Sequence, residues 1–161
     1  MDDILQKLHK GLTTESAAET QAVARDLALQ LPSNHTLALY GGLGAGKTTF
    51  VQGLAQAWGI KEPVTSPTFN ILSLYRGARN LVHLDAFRLE NEAQIEALML
   101  EEWLEPPWCW VIEWPDNLGA TLPHDAWRLH LELLPNDQRR MSLRSYLPLN
   151  KDHGGTCSGG R

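Results

Sequence analysis

Cysteine is scarce in this chain: only Cys109 and Cys157 occur, one in an apolar run and the other in a glycine-rich tail. Two thiols so far apart give neither a disulfide framework nor zinc-ligand spacing, and both are expected to be free. Long apolar runs are missing too. No stretch approaches the about eighteen residues a spanning helix needs, and the start, MDDILQKLHK, is mixed in charge rather than basic and then apolar. A cytoplasmic chain without a membrane segment is the expectation. Positive charge is in deficit, with 14 Lys and Arg against 19 Asp and Glu, a net −5 and a pI near 5.6. That balance argues against a broad electrostatic footprint for nucleic acid, so any role with nucleic acid is expected to be indirect. Internal repeats and interdomain linkers are also lacking. With 161 residues and 43% apolar content, one domain over residues 1–146 is expected, followed by a disordered tail at 147–161.

What is present is a sequence of buried strands and amphipathic helices. Ser16 and Glu19 have capping-box spacing, and Val23, Leu27 and Leu31 recur at helical intervals, which predicts a helix over 16–31 ending at Pro32. Residues 36–40, Thr-Leu-Ala-Leu-Tyr, form a short, nearly unbroken apolar run, as expected of a strand buried on both faces. Phe50, Val51, Leu54 and Trp58 mark one face of a helix beginning near Lys47, which Gly59 can terminate. Residues 70–76 and 81–87 read as strands joined by a turn at 77–80, and Asn91 with Gln94 opens a helix carrying Ile95, Leu98 and Met99. Pro106-Pro107 closes that region. Residues 108–114 are a further apolar strand, while Trp127, Leu129, Leu131 and Leu133 alternate with Arg128, His130 and Glu132, and residues 140–144 form its hairpin partner. The expected fold is α/β, a three-layer sandwich whose mixed sheet has a parallel core and antiparallel edge strands.

Between the strand at 36–40 and the helix after it lies Gly41-Gly42-Leu43-Gly44-Ala45-Gly46-Lys47-Thr48, a full G-x-x-x-x-G-K-[ST] motif in the context it requires. Its glycines let the backbone approach an anion, and its amides with the helix N-terminus can surround phosphates. Lys47 supplies the charge for the β- and γ-phosphates of a nucleoside triphosphate, and the Thr48 hydroxyl a ligand for Mg²⁺. Such a site also needs a carboxylate from a neighbouring strand end, and two candidates fit: Asp85 after residues 81–84 and Glu113 after residues 108–112. Their spacing does not separate their roles, and the ordinary alternative for each is a solvated acid or a helix cap. Ser66-Pro67-Thr68-Phe69 is placed where a switch-like loop would offer Thr68 to the γ-phosphate, or is simply a turn. His83 reads as a hydrogen-bonded strand residue rather than a metal ligand, because no second His or Cys stands at ligand spacing. Trp103, Trp108, Trp110 and Trp114 read as core or interface residues, with Trp114 the exception that stands near the site.

Taken together, residues 40–50 (YGGLGAGKTTF), 66–69 (SPTF), 83–89 (HLDAFRL) and 113–115 (EWP) resemble the TsaE family in order and spacing, over about residues 12–145. The resemblance implies a small bacterial ATPase needed for N6-threonylcarbamoyladenosine at position 37 of tRNA. It implies ATP held by Gly42, Leu43, Gly44, Ala45, Gly46, Lys47, Thr48 and Thr49 with Trp114 beside the nucleotide, Mg²⁺ on Thr48 and Glu113, and hydrolysis through Asp85, Thr68 and Lys47. It also implies TsaB and TsaD as protein partners, with tRNA reached only through their complex, which the ATPase resets between cycles. Two positions depart from the family pattern: an acid is usual where Gly42 stands, and Tyr is common where Phe87 stands. Two other functions stay open from the residues. One is a P-loop small-molecule kinase, against which the scattered arginines and the absence of a lid insertion count. The other is a nucleotide-dependent interaction module with little turnover. No arginine stands in the P-loop or within 66–70, so hydrolysis by the chain alone is expected to be slow and accelerated by partners.

Overall fold

A computed structural model describes residues 3–65 and 71–144. Its elements run α1 (Ile4–Lys10), β1 (Leu12–Thr14), α2 (Ala17–Ala28), β2 (His35–Tyr40), α3 (Lys47–Ala57), β3 (Leu72–Tyr75), β4 (Asn80–Asp85), α4 (Glu92–Ala97), β5 (Trp108–Glu113), β6 (Trp127–Leu133) and β7 (Arg139–Arg144). Seven strands form one open sheet in the order β1-β7-β6-β2-β5-β4-β3. The four central strands β6, β2, β5 and β4 are mutually parallel, and the pairs β1–β7, β6–β7 and β3–β4 are antiparallel. The fold is therefore α/β with a parallel core and antiparallel edges, as the residue pattern indicates.

Alternation along the central strands divides the apolar residues between two faces. Leu37, Leu39, Val111, Leu129 and Met141 pack with Leu8, Leu27, Phe50 and Leu54 of α1, α2 and α3. Ala38, Val82, Leu84, Trp110 and Ile112 pack on the other face with Ile95, Leu118 and Leu122. The α2–α3 contact is close enough that a Cβ at Gly53 would stand 2.5 Å from the Gln21 carbonyl oxygen and 2.6 Å from the Ala24 Cβ. Phe50, Leu54 and Leu27 are fully buried as a result. This packing fixes α3, and with it the P-loop at its N-terminus, against the carboxyl end of β2.

Several boundaries differ from the sequence expectation. The helix expected over 16–31 starts as foreseen, with Ser16 Oγ accepting from Glu19 N at 3.1 Å. It stops at Ala28, where the last turn closes through Leu29 N to Asp26 O and Gln30 N to Leu27 O. The helix opened by Asn91, whose Oδ1 accepts from Gln94 N at 3.0 Å, ends at Ala97 because Met99 adopts a left-handed backbone with φ 53°. Among the described residues, the strands expected over 70–76 and 81–87 run over Leu72–Tyr75 and Asn80–Asp85. Helix α1 and edge strand β1, paired with β7 through Leu12 to Met141, were not expected at all. No helix among the described residues is long and apolar enough to cross a membrane. The disorder expected for the tail at 147–161, and Cys157 within it, fall outside the described residues.

Candidate functional site

Three neighbouring parallel strands end at the same place. Strand β2 runs into the glycine-rich loop, β5 ends at Glu113 and β4 ends at Asp85, with Leu39 opposite Glu113 and Glu113 opposite Asp85 in register. The carboxyl ends of parallel strands are where α/β folds collect ligands. Here they open onto a cleft of about 350 Å³ lined by residues 43–49 of the loop and helix together with Asp85, Phe87, Glu113, Trp114 and Arg139. Gly46, the residue that opens α3, has φ 99°. A side chain is strained in that conformation, so the turn into the helix depends on glycine. Of the loop residues singled out by sequence, Gly41 and Gly42 stand outside the cleft lining; the Gly42 carbonyl accepts from Ala45 N at 3.2 Å.

Lys47 is only 6% exposed. Its Nζ donates to the Gly41 carbonyl at 2.6 Å and stands 3.9 Å over the Trp114 ring. Burial holds the ammonium below its ordinary pKa, while Glu113 and then Asp85 oppose that shift by favouring the charged form. Trp114 reaches this position because its backbone is left-handed, φ 59°, immediately after β5, which turns the ring over the cleft beside Phe87 at 5.1 Å between ring centroids. A bulky residue in that conformation is costly. The cation–π contact with Lys47 offsets part of that cost.

The two acids sit in different surroundings. Glu113 is 4% exposed and its Oε2 lies 2.7 Å from His83 Nε2, itself fully buried on the adjacent strand β4. That ring nitrogen donates to the carboxylate, and His83 Nδ1 is a buried nitrogen without a hydrogen-bond partner among the described residues. Asp85 is half-buried, and its Oδ1 accepts from Phe87 N at 3.0 Å, capping the turn Ala86–Arg88. The capping alternative and the cleft position both hold for Asp85. Thr48 and Thr49, in the first turn of α3, complete the lining. Thr68 lies outside the described residues.

Sequence reasoning missed one residue here and the partner of another. Arg139 opens β7, far along the chain from the loop, yet its Nε would stand 3.4 Å from a Cβ placed on Gly46, and its guanidinium donates to the Asp137 carbonyl at 2.7 Å. The β6–β7 hairpin folds back over the P-loop and brings an arginine to it in cis. His83, read as a hydrogen-bonded strand residue, is that, but its partner Glu113 was not foreseen.

The sequence profile described as "Threonylcarbamoyl adenosine biosynthesis protein TsaE" matches residues 14–141. The chain belongs to the TsaE family. Among its relatives, the "tRNA threonylcarbamoyladenosine biosynthesis protein TsaE" of Bacillus subtilis (strain 168) is 35% identical over 130 residues, covering 80% of this chain and 81% of that one. The protein of the same description from Treponema pallidum (strain Nichols) is 32% identical over 130 residues, covering 81% and 96%. The crystal structure of Bacillus subtilis YdiB superimposes with a TM-score of 0.69 at 28% identity, covering 85% of each chain. This TsaE-family chain therefore carries the fold seen in that structure and sits in the context of threonylcarbamoyladenosine biosynthesis. The match runs from the end of β1 into β7, so the hairpin that bears Arg139 falls inside it.

Proposed function

We propose that this chain is a Mg²⁺-dependent ATPase serving tRNA N6-threonylcarbamoyladenosine formation at position 37, acting in the cytoplasm on a complex of TsaB and TsaD. The observation that carries the reading is the convergence of Lys47, Thr48, Asp85 and Glu113 on one cleft at the ends of β2, β4 and β5. Backbone amides of residues 44–48 and the Lys47 ammonium would hold the β- and γ-phosphates of ATP, and Thr49, Arg139 and Trp114 would line its remaining contacts.

The donor set fits magnesium. Among the described residues no cluster of three or more His, Cys, Asp or Glu forms a self-sufficient metal site. Mg²⁺ is commonly held by one or two protein oxygens, with water and phosphate oxygens completing its octahedron. Thr48 Oγ1 and the Glu113 carboxylate would supply those protein ligands, and the bound ion would neutralise charge on the transferring phosphoryl group. His83 would hold the Glu113 carboxylate in its orientation. Asp85, at a strand end and less buried than Glu113, would position the attacking water and accept its proton, and Thr68, by family resemblance, would meet the γ-phosphate. Hydrolysis would then reset the TsaB–TsaD complex, with tRNA engaged through that complex.

Calorimetric ATP titrations with and without Mg²⁺, followed by phosphate release from the chain alone, with TsaB and TsaD, and with tRNA, test this reading. Mg²⁺-dependent ATP binding with turnover that rises in the presence of the two proteins is expected. Absence of nucleotide binding overturns it, and a phosphorylated small-molecule product transfers the assignment to the kinase class.

A further inference from the structure

The half of the sheet formed by β6 and β7 has one face packed on the helices and one open to solvent. Leu129, Leu131, Met141 and Leu143 point to the helices and are buried, so Arg128, His130 and Glu132 of β6 and Arg140, Ser142 and Arg144 of β7 share the opposite face. In the antiparallel register Arg128 stands directly opposite Arg144, His130 opposite Ser142 and Glu132 opposite Arg140. Two arginines directly opposed on an exposed face repel one another. Among the described residues no carboxylate comes within 4 Å of Arg128, Arg140 or Arg144. The end of α1 adds His9 and Lys10 along one border, and these two with His130, Glu132, Arg140, Ser142 and Arg144 line a second cleft of about 360 Å³.

This face also carries a flat aromatic element. The His130 and Tyr40 rings are stacked with centroids 4.5 Å apart and planes 7° from parallel, and Arg128 donates to the Tyr40 hydroxyl at 2.9 Å. Burial first, then the Arg144 charge, with Asp116 opposing and Arg128 adding, holds His130 below its ordinary pKa. The ring is therefore neutral at neutral pH and stacks rather than repels. Guanidiniums interleaved with a partly exposed stacked pair on a sheet face match the chemistry of an unpaired nucleotide segment, whose phosphates need cations and whose bases need planar partners. An acidic protein surface would use the charges but not the stack.

We infer that the open face of β6 and β7, bounded by Lys10, Arg128, His130, Arg140 and Arg144, is an RNA-binding surface that takes the sugar-phosphate backbone of a single-stranded or looped segment. The choice of RNA rests on the family's tRNA context as well as on the stack; the ATPase reading plays no part in it. The inference departs from the expectation drawn from net charge: the chain is acidic overall, yet Lys10, Arg128, Arg140 and Arg144 share this face. Because Tyr40 directly precedes Gly41 of the P-loop, an RNA strand on this face would adjoin the nucleotide cleft.

Fluorescence anisotropy of labelled unmodified tRNA and of an oligouridylate, titrated with the full chain at several salt concentrations, tests the inference. Binding with a dissociation constant in the range of about 10⁻⁶ to 10⁻⁴ M is expected, with a log–log salt slope of about −2 to −3 for three or four neutralised phosphates. The double variant Arg140→Glu/Arg144→Glu should weaken both probes by at least about tenfold and flatten that slope. Its far-ultraviolet circular dichroism and its calorimetric nucleotide affinity should stay at wild-type values, so that loss of RNA binding is distinguishable from unfolding or a damaged P-loop. Lys10→Glu, on a different element, should weaken binding in the same direction. Absence of RNA binding by the wild-type chain overturns the inference, as does unchanged affinity in the folded double variant. Competition by polyglutamate as effective as by oligouridylate would assign the face to an acidic protein instead.

Discussion

His83 Nε2 lies 2.7 Å from Glu113 Oε2, with the ring wholly buried and the carboxylate nearly so. A buried carboxylate needs donors to remain charged, and His83 supplies one from the adjacent strand. In the proposed function it would act through Glu113, as a positioning residue. If Glu113 ligates Mg²⁺, His83→Ala should weaken Mg²⁺ affinity by about 10- to 100-fold, the usual effect of losing the group that orients a metal ligand. Nucleotide affinity measured without Mg²⁺ should change little, and His83→Gln, which keeps an N–H donor, should recover part of the loss. Equal losses with and without Mg²⁺ would show that His83 only supports the fold.

Lys47 is buried, and in the proposed function its charge would meet the phosphates, so two effects oppose each other. In the protein without nucleotide the ammonium is desolvated, so its folded pKa lies below the reference 10.5. A Lys with a depressed folded pKa destabilises the fold while both states are protonated, and the penalty disappears as pH rises past the unfolded value. Lys47→Met should therefore melt no lower than wild type at neutral pH, and the difference should narrow as pH rises towards 10.5. The same substitution should weaken ATP binding by about 10- to 150-fold, the range for losing a charged hydrogen bond. A large drop in melting temperature at neutral pH would sink the first half, and unchanged calorimetric affinity the second.

Asp85 lines the cleft while its Oδ1 caps the turn after β4. Two substitutions separate these tasks. Asp85→Asn keeps a side-chain oxygen for Phe87 N and should leave thermal stability and nucleotide binding near wild type while abolishing most turnover. Asp85→Ala should lose turnover and, in addition, about 1 kcal/mol of stability from the missing cap. Wild-type phosphate release by Asp85→Asn would exclude the carboxylate as the group that activates water.

Local spacing made the P-loop readable, because the motif, its strand and its helix occupy consecutive residues. Strands β2 and β5 were readable as apolar runs because they are central in the sheet and covered on both faces. Strand β1 has three residues at a sheet edge, of which only Thr14 is buried, so no period of two had room to develop. The seven-residue α1 buries Leu8 alone, too few apolar positions to show a helical period. The His83–Glu113 contact depends on parallel register between β4 and β5, and the basic face depends on antiparallel register between β6 and β7. Neither register can be read along one strand. Net charge obscured that face as well, since an acidic total says nothing of how Arg128, Arg140 and Arg144 are placed relative to one another.

Arg139 changes what the isolated chain is expected to do. No arginine stands in the P-loop or within residues 66–70 of the sequence, and the expectation of slow intrinsic hydrolysis follows from that. The folded hairpin brings the Arg139 guanidinium against Gly46, beside Thr49 in the cleft. Asp137 and the hairpin backbone hold it there through the bond to the Asp137 carbonyl. It adjoins Gly46 at the base of α3, in the same cleft as Asp85 and Glu113, and hydrogen-bonds neither acid among the described residues. A guanidinium there would serve phosphates present in both ATP and ADP rather than the charge that develops only during transfer. Arg139→Ala should therefore weaken ATP and ADP binding by similar factors, about 10- to 150-fold, while kcat at saturating ATP falls much less. Arg139→Lys should restore binding only in part, because a single ammonium cannot reproduce the planar fork of the guanidinium. Steady-state hydrolysis alongside calorimetric titration of both nucleotides decides the matter. A fall in kcat of about 10³-fold or more with ADP affinity unchanged would instead make Arg139 an arginine finger supplied in cis, and stimulation by protein partners would then have to arise from something other than a missing cation.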